Sequence, residues 1–234
     1  YYEYMCPKKD AKLPAVILFT SGAEDKPKAV ALSHQNIQSN RCQMLAIIDF
    51  NPHDLAFNPL PLFHSFCYAG TIIMLLGGVK TFLYPSPLHH RIIPEVIYDV
   101  GATIMFGTDS LLAAYASSAH PYDFYSMRYV IAGAEKLKEQ TRQMWLDKFG
   151  IRILEAYSAT EAGPVIAVNT PMYYKGGSVG RFLPKIEYFF KPFKNIQNGG
   201  RLCVKGPNIM LGYIKPENPG VVEVPFVQRL GNNW

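Results

Sequence analysis

The chain has 234 residues, of which 49% are hydrophobic and 18% are charged. This composition excludes a disordered tail and a fibrous repeat, and the length suits one large domain or one domain with part of a second. The net charge of +5 comes from scattered basic residues, which form no basic stripe of the kind that neutralises several phosphates. A nucleic-acid partner is therefore not expected.

The cysteines, at positions 6, 42, 67 and 203, form no CxxC pair. No signal peptide is recognisable in the first residues, so a reducing, cytoplasmic environment is expected. Residues 60–79 contain no Asp, Glu, Lys or Arg, but a proline, a histidine and a Gly-Gly pair interrupt them. Because the remaining apolar helix is too short to span a bilayer, we predict a buried core helix here.

Short apolar runs alternate along the chain with longer helix-like stretches, which is the pattern of βα units around a mostly parallel sheet. Several runs are apolar at consecutive positions, as expected for strands covered on both faces. We therefore predict an α/β fold with a mostly parallel sheet flanked by helices. The predicted strands are residues 15–20, 54–60, 81–85, 102–107, 128–133 and 152–157.

Two helices are predicted between these strands. Ser33 can cap a helix over residues 34–48, because its hydroxyl can accept from a backbone N–H that lacks a helical partner. Residues 136–150 carry apolar side chains near helical spacing, and Gly150 supplies the stop.

After about residue 165 the pattern changes to short runs punctuated by glycine and proline. This change predicts short antiparallel strands within residues 177–193 and 199–213. We place a boundary near residue 178. The α/β portion then comprises residues 1–177, and a smaller β-rich subdomain comprises residues 178–234.

The stretch FTSGAEDKPKAV, residues 19–30, follows an apolar run and has features of a phosphate-binding loop. Thr20 and Ser21 offer hydroxyl donors, and Gly22 permits a turn. Lys28 could supply a compensating positive charge. An ordinary polar turn explains the same residues.

The stretch ILEAYSATEAGPV, residues 153–165, begins with a predicted buried strand. The edge where such strands end is where α/β proteins bind ligands. An aromatic face, a hydroxyl and a carboxylate in succession suit a nucleotide: Tyr157 to stack on a base, Thr160 to donate to a phosphate and Glu161 to hold Mg²⁺. A solvated helix start explains this pattern equally well.

Five stretches occur in the order and approximate spacing of the core motifs of the adenylate-forming enzymes: FTSGAEDKPKAVALSH, PLPLFHSF, YVIAGAEKL, EAYSATEAGPV and GGRLCVKGPNIMLGY. The chain resembles this family over nearly its whole length. The family includes acyl-CoA synthetases, luciferases and peptide-synthetase adenylation domains. Two further stretches, FLYPSPLHHRIIPE and GPNIMLGYIKPENPGVVEVP, resemble one bacterial branch, the bifunctional acyl-[acyl-carrier-protein] synthetase/2-acylglycerophosphoethanolamine acyltransferases.

The resemblance implies a reaction in two steps. A fatty acid carboxylate attacks the α-phosphate of ATP to give an acyl-adenylate and pyrophosphate, and a thiol then takes the acyl group. The implied cofactors are ATP and Mg²⁺, and the implied acceptor is the phosphopantetheine of an acyl carrier protein. The parent enzyme would serve lysophosphatidylethanolamine reacylation at the cytoplasmic face of the bacterial inner membrane. Membrane association is expected only through other parts of the parent, and this chain by itself is expected to be soluble.

The resemblance also assigns roles to residues. Thr20, Ser21, Gly22 and Lys28 match the phosphate loop. His64 matches a histidine beside the reacting carboxylate, where an imidazole could donate to developing negative charge; a structural histidine is the alternative interpretation.

The remaining implied nucleotide and metal ligands lie in two segments. The first lines the adenine pocket, largely with backbone atoms. The second supplies the stacking aromatic residue, the phosphate-contacting hydroxyl and the Mg²⁺ carboxylate. The residues are Gly133, Ala134 and Glu135 in the first segment, and Tyr157, Ser158, Thr160 and Glu161 in the second.

The phosphate loop departs from the family pattern. Ala23, Glu24 and Asp25 replace residues that include glycine and a hydroxyl, and Ala29 replaces a further glycine. An added carboxylate repels phosphate, so we expect weakened phosphate binding. The chain also stops before the Tyr-x-Thr-Gly-Asp motif and the lid domain with its catalytic lysine. We therefore expect a middle fragment that does not complete turnover alone.

Two alternatives to an acyl carrier protein synthetase stay open. An acyl-CoA synthetase would share the chemistry and use coenzyme A as acceptor. A non-catalytic module with a decayed phosphate loop would instead bind lipid or a partner.

Overall fold

The computed structural model describes residues 10–20, 28–193 and 199–225, together with the backbone of residues 228–229 and 232–233. The strands are β1 (Pro14–Thr20), β2 (Lys28–Ser33), β3 (Leu55–Asn58), β4 (Lys80–Leu83), β5 (Ile104–Gly107), β6 (Tyr129–Ala132), β7 (Ile153–Ser158), β8 (Val165–Val168), β9 (Arg181–Phe182), β10 (Glu187–Lys191), β11 (Arg201–Lys205), β12 (Gly212–Ile214), β13 (Val222–Glu223), β14 (Gln228–Arg229) and β15 (Asn232–Asn233). The helices are α1 (His34–Leu45), α2 (Ser65–Leu76), α3 (Ile92–Val100), α4 (Asp109–Ser118) and α5 (Glu139–Phe149), and a 3₁₀ turn covers Thr160–Ala162.

A seven-stranded sheet with the order β4-β3-β5-β6-β7-β8-β9 forms the centre of the fold. The neighbouring strands from β4 to β7 in this order pair in parallel. Strand β8 pairs antiparallel with β7, and β9 pairs antiparallel with β8. The predicted α/β class and the mostly parallel sheet are confirmed. Each of the predicted strands from residue 54 to residue 157 overlaps one of these strands.

Helices cover both faces of the parallel strands. Successive strand residues point to opposite faces, so Ile131 and Leu154 pack on the side of α1 and α2. Their neighbours Val130 and Ile153 pack on the side of α3, α4 and α5. This two-sided burial explains why the strands are apolar at consecutive positions.

Strand β1 lies in a different sheet from the one predicted. It pairs with β2 in antiparallel register and belongs to a four-stranded sheet with the order β1-β2-β12-β13. Leu18 is buried, whereas Ile17 and Phe19 are 48% and 68% exposed. The strand therefore has one buried face. It was predicted to belong to the parallel sheet because its residues are apolar at consecutive positions, although some of them are exposed.

The predicted helices are confirmed, with shorter bounds. The hydroxyl of Ser33 accepts from the N–H of Asn36 at 3.1 Å, and the side chain of Asn36 accepts from the N–H of Ser33 at 2.9 Å. This reciprocal pair caps α1. Gly150 ends α5 with a left-handed φ of 69°. Helices α3 and α4 were not predicted.

The apolar stretch at residues 60–79 contains α2, whose buried face packs into the core. Within the part of the chain that the structure describes, no helix is long and apolar enough to cross a membrane.

Short antiparallel strands occupy the C-terminal part, as predicted, and β10 pairs with β11. The division between residues 177 and 178 stays a prediction. On its C-terminal side, β9 pairs with β8 and β12 pairs with β2.

Candidate active site

The carboxyl ends of the parallel strands bring several predicted site residues to one edge of the sheet. Thr160 follows β7, and its hydroxyl donates to the hydroxyl of Ser65 at 3.0 Å. Gly133 follows β6, and a Cβ atom at this position would lie 2.6 Å from the Phe66 ring. The first turn of α2 therefore contacts both segments, as expected for a ligand edge of a parallel sheet.

His64 lies immediately before α2 and caps it. Its Nδ1 accepts from the N–H of Phe66 at 3.3 Å. Because Nδ1 is the acceptor, a neutral ring carries its proton on Nε2. The side chain is exposed, so Nε2–H is available as a donor at the same edge as Thr160.

The segment from Gly133 to Glu135 follows β6 at this edge. The Glu135 carboxylate accepts from the N–H of Ser110 at 3.2 Å and from its hydroxyl at 3.3 Å. Ala134 has a left-handed φ of 65°, a conformation that non-glycine residues adopt rarely and that is often found at functional sites. The carboxylate thus ties the loop to Ser110; binding of adenine by the backbone of this segment stays a prediction.

A second carboxylate ties the same loop to α4. Asp109 accepts from the N–H of Lys138 at 2.8 Å, and the Lys138 ammonium lies 3.4 Å from its other oxygen. Burial alone favours the protonated acid, but hydrogen bonds from Lys138 and Thr141 outweigh it and lower the pKa of Asp109. The loop after β6 is therefore tied to α4 at Glu135 and at Lys138.

Tyr157 and Ser158 lie at the end of β7, where the pairing with β8 is irregular. The Tyr157 side chain is 43% exposed, although its strand is buried at its start. An exposed aromatic ring at a ligand edge offers a flat apolar face for a base.

The turn that carries Glu161 is fixed by hydrogen bonds to its backbone. Asn208, which is fully buried, donates to the carbonyl of Ala162 at 2.6 Å. The N–H of Met210 donates to the carbonyl of Glu161 at 2.8 Å. These bonds connect the turn to the segment that precedes β12.

Two buried asparagines of α1 extend this support. Asn40 accepts from the N–H of Val165 at 3.1 Å and donates to its carbonyl at 2.9 Å. Asn36 donates to the carbonyls of Pro207 and Ile209 at 3.0 and 2.7 Å. Buried amides with satisfied hydrogen bonds specify geometry as well as adding stability, so the Glu161 turn has a defined position.

The Glu161 carboxylate borders a cleft of about 530 Å³ together with Tyr213. Its Oε1 accepts from the Tyr213 hydroxyl at 2.8 Å. Across the described residues, no cluster of three or more His, Cys, Asp or Glu side chains could hold a metal ion. A single carboxylate fits Mg²⁺ in a nucleotide site, because phosphate oxygens and water supply the other ligands there.

The two ends of the predicted phosphate loop lie side by side. Thr20 at the end of β1 pairs with Lys28 at the start of β2, and the Lys28 ammonium lies 5.6 Å from the centroid of the Tyr213 ring. Ser21 and Gly22, with the substituted positions 23–25, lie outside the described residues. Their assignment to a phosphate loop stays a prediction.

Sequence reasoning missed three residues that contact the predicted ones. Ser65, Asn208 and Tyr213 all belong to the motif stretches PLPLFHSF and GGRLCVKGPNIMLGY, but no role was predicted for them. The only available signal was their position within those stretches, since partners far apart in sequence cannot be paired from one sequence.

The family follows from comparison with known proteins. The sequence profile described as AMP-binding enzyme matches residues 3–214. The chain belongs to the AMP-binding enzyme family. Enzymes of this family use ATP, usually together with Mg²⁺. The more specific resemblance to the bifunctional acyl carrier protein branch stays a prediction.

Two curated relatives illustrate the similarity. Probable 4-coumarate–CoA ligase 1 of Dictyostelium discoideum is 30% identical over 223 residues, which cover 90% of this chain and 40% of that protein. The long-chain-fatty-acid–CoA ligase of Salmonella typhimurium is 28% identical over 226 residues, with the same coverage of 90% and 40%. The chain thus spans about 40% of the length of these relatives.

Solved structures agree with the fold. The ATP-bound crystal structure of MatB from Rhodopseudomonas palustris has a TM-score of 0.76 and 25% identity, covering 91% of this chain and 45% of that one. A malonyl-CoA ligase complex with methylmalonyl-CoA and AMP has a TM-score of 0.79 at 21% identity, and this likeness concerns the fold alone.

Proposed function

We propose that this chain carries the nucleotide site of an ATP-dependent ligase that activates a carboxylic acid as its acyl-adenylate. The observation that carries the proposal is the contact of α2 with both Thr160 and Gly133 at the carboxyl edge of the sheet. This contact brings the Thr160 hydroxyl, the backbone at Gly133 and His64 to one edge of the sheet, and we propose that they serve there as phosphate donor, adenine-site backbone and carboxylate-side donor.

In the proposed reaction an oxygen of the substrate carboxylate attacks the α-phosphorus of ATP. The bond from this phosphorus to the bridging oxygen breaks, and pyrophosphate leaves with the electron pair. The exposed Nε2–H of His64 can donate to the carboxylate or to the charge that develops on phosphate. Thr160 can donate to a phosphate oxygen once its hydroxyl rotates from Ser65.

Tyr157 and Glu161 complete the proposed site. The exposed Tyr157 ring can stack on adenine, and the Gly133–Glu135 backbone can border the base. Glu161 directly follows Thr160 in the chain, with Ser158 on the same segment, and in this proposal its carboxylate would hold Mg²⁺ beside the nucleotide phosphates. Mg²⁺ supplies neutralisation of phosphate charge when bound.

The thiol acceptor is best supported as coenzyme A. The relatives with the similarities given above are named as CoA ligases, and one acts on a long-chain fatty acid by its name. Acyl carrier protein as acceptor, and with it lysophospholipid reacylation at the inner membrane, rests only on the branch-like stretches at residues 82–95 and 206–225. The two acceptors are separated by supplying each thiol to the protein isolated from its native source and detecting the acyl thioester by mass spectrometry.

The proposed site is tested by photolabelling this chain with 8-azido-ATP and mapping the modified peptides. We expect labelling in the peptides that contain Gly133–Glu135 and Tyr157–Glu161, and protection by a non-hydrolysable fatty acyl-adenylate analogue. Labelling confined to other peptides, or labelling that the analogue does not reduce, would contradict the proposal. Absence of any protectable labelling would favour the non-catalytic alternative.

A further inference from the structure

The hydroxyl of Tyr213 is placed on the Glu161 carboxylate by backbone contacts on both sides of the bond. Tyr213 lies in β12, where its backbone pairs with Val30 on one side and with Glu223 on the other. Glu161 lies in the turn fixed by Asn208 and Met210. The bond of 2.8 Å between Tyr213 and Glu161 therefore joins two elements whose backbones are each held by hydrogen bonds and which the Met210 contact also links.

The bond engages one oxygen of the carboxylate. Tyr213 donates to Oε1, and within the described part of the chain Oε2 accepts no hydrogen bond. A carboxylate that is held through one oxygen keeps the other oxygen in a defined direction, because rotation about its side-chain bonds is restricted. Both residues border the same cleft, from which a ligand can approach the carboxylate.

Lys28, the last of the residues predicted for the phosphate loop, also contacts Tyr213. The Lys28 ammonium lies 5.6 Å from the ring centroid, within the range of a cation–π contact. Lys28 is the first residue of β2, and β2 pairs directly with β12. Tyr213 thus contacts both a cation from the predicted phosphate loop and the carboxylate expected to hold the metal.

We infer that Tyr213 is a positioning residue that orients Glu161 for Mg²⁺ bound with ATP, an inference that rests on the proposed function. Metal-binding carboxylates are commonly hydrogen-bonded by a further residue, and removing that residue typically weakens metal affinity 10–100-fold. Tyr213 does not touch the reacting atoms in this arrangement. It acts through Glu161, so its effect should disappear when the Glu161 carboxylate is absent.

The test compares the affinity of mant-ATP for this chain in Mg²⁺ and in EDTA, measured by fluorescence titration. The ratio of the two dissociation constants reports the energetic coupling between metal and nucleotide. Tyr213→Phe removes the donor and keeps the ring. Tyr125→Phe is the matched control, since Tyr125 is 66% exposed and its ring packs on Tyr98.

We take the ratio as the dissociation constant in EDTA divided by that in Mg²⁺. We expect Tyr213→Phe to lower this ratio about tenfold, Tyr125→Phe to leave it unchanged, and Glu161→Gln to bring it to about one. In the Glu161→Gln background, Tyr213→Phe should have no further effect on the ratio. A structural role would instead weaken binding equally in Mg²⁺ and in EDTA, leave the ratio unchanged and overturn the inference. Thermal unfolding of each variant by circular dichroism verifies that it is folded.

The remaining outcomes separate the inference from the proposed function. A ratio that depends on Glu161 but not on Tyr213 overturns the inference and leaves the proposed function intact. A ratio that survives Glu161→Gln overturns both the metal role of Glu161 and the inference. Failure of the unmodified chain to bind mant-ATP overturns the proposed function and the inference together.

Discussion

The hydroxyl of Thr160 donates to the hydroxyl of Ser65 across 3.0 Å, although 95 residues separate them in the sequence. The bond connects the segment after β7 to the first turn of α2. Because both hydroxyls can rotate, the pair can exchange its mutual bond for bonds to a ligand oxygen. Under the proposed function, Ser65 is therefore a second hydroxyl beside the phosphate that Thr160 would contact.

Thr160→Val should weaken Mg²⁺–ATP binding by about tenfold or more, because a hydrogen bond to a charged group contributes about 1.5–3 kcal/mol. Ser65→Ala should weaken it by less, about threefold, since it removes a neighbour of the principal donor. The two substitutions should be non-additive in a double-mutant cycle. Calorimetric titration measures all three effects, and equal affinities of Thr160→Val and the unmodified chain would contradict the role of Thr160.

Gly133→Ala should displace the Phe66 ring, since the new Cβ atom would lie 2.6 Å from it. Overpacking of this kind typically costs about 1–3 kcal/mol of stability. The shift of Phe66 should also disturb the start of α2 and lower nucleotide affinity. Phe66→Leu in the Gly133→Ala background provides room and should restore part of both losses, which urea denaturation and ATP titration would detect. An unaltered urea midpoint in Gly133→Ala would contradict the close contact.

The parallel core could be predicted from sequence because its strands are buried on both faces. Residues 104–107 and 129–132 are apolar at consecutive positions, which is typical of strands covered by helices on both sides. Strand β1 misled the same reasoning, since Ile17 and Phe19 are apolar but exposed. Burial of one face and the pairing with β2 are properties of tertiary structure that its residue types do not reveal.

The site could be predicted only in part for a related reason. Motif resemblance gave Thr160 and Glu161, each within one short stretch. The contact of Glu161 with Tyr213 spans 52 residues and depends on the pairing of β12 with β2, so a single sequence contains no pattern for it. The same applies to Asn208, because the hydrogen bond from its side-chain amide to the Ala162 carbonyl forms only in the folded chain.

Asp54→Asn should destabilise the protein by about 2–3 kcal/mol. Asp54 is buried and accepts from Arg128 at 2.6 Å and from the Thr103 hydroxyl at 2.7 Å, and breaking a buried pair typically costs about 3–5 kcal/mol. The lower figure applies because the Arg128 side chain is 34% exposed. Hydrogen bonding to Asp54 raises the pKa of Arg128, so the arginine stays charged.

Asp49→Asn is the matched control, because Asp49 contacts the same arginine but is 82% exposed. An exposed ion pair contributes at most about 1 kcal/mol. Urea denaturation of the two variants should show a much lower midpoint for Asp54→Asn. Equal midpoints would show that the buried pair adds no more stability than the exposed one.

Cys67 should resist alkylation in the folded protein. Burial raises its pKa to about 11 from an ordinary 9.0, so at pH 8 only about one molecule in a thousand carries the reactive thiolate. Cys42 is exposed and should react before Cys67. Iodoacetamide labelling with peptide mapping tests this order, and labelling of Cys67 as fast as Cys42 would contradict it.

The same shift predicts a pH dependence of stability. Because the pKa of Cys67 is higher in the folded state, its contribution is complete below about pH 9 and is lost as the pH rises through about 11. The urea midpoint of the unmodified chain should therefore fall relative to that of Cys67→Ala across this interval. A constant difference between the two midpoints would argue against the raised pKa.

The most direct test of the proposed adenylate site is calorimetric titration of this chain, in the presence of Mg²⁺, with a non-hydrolysable fatty acyl-adenylate analogue. We predict saturable binding with one site, and a loss of about tenfold or more in affinity for Tyr157→Ala, since stacking of a base on an aromatic ring contributes about 1–3 kcal/mol. Tyr122→Ala, at a ring that is 68% exposed, should bind as the unmodified chain does. Absence of binding, or equal affinity of Tyr157→Ala and the unmodified chain, would contradict an adenylate site at this edge of the sheet.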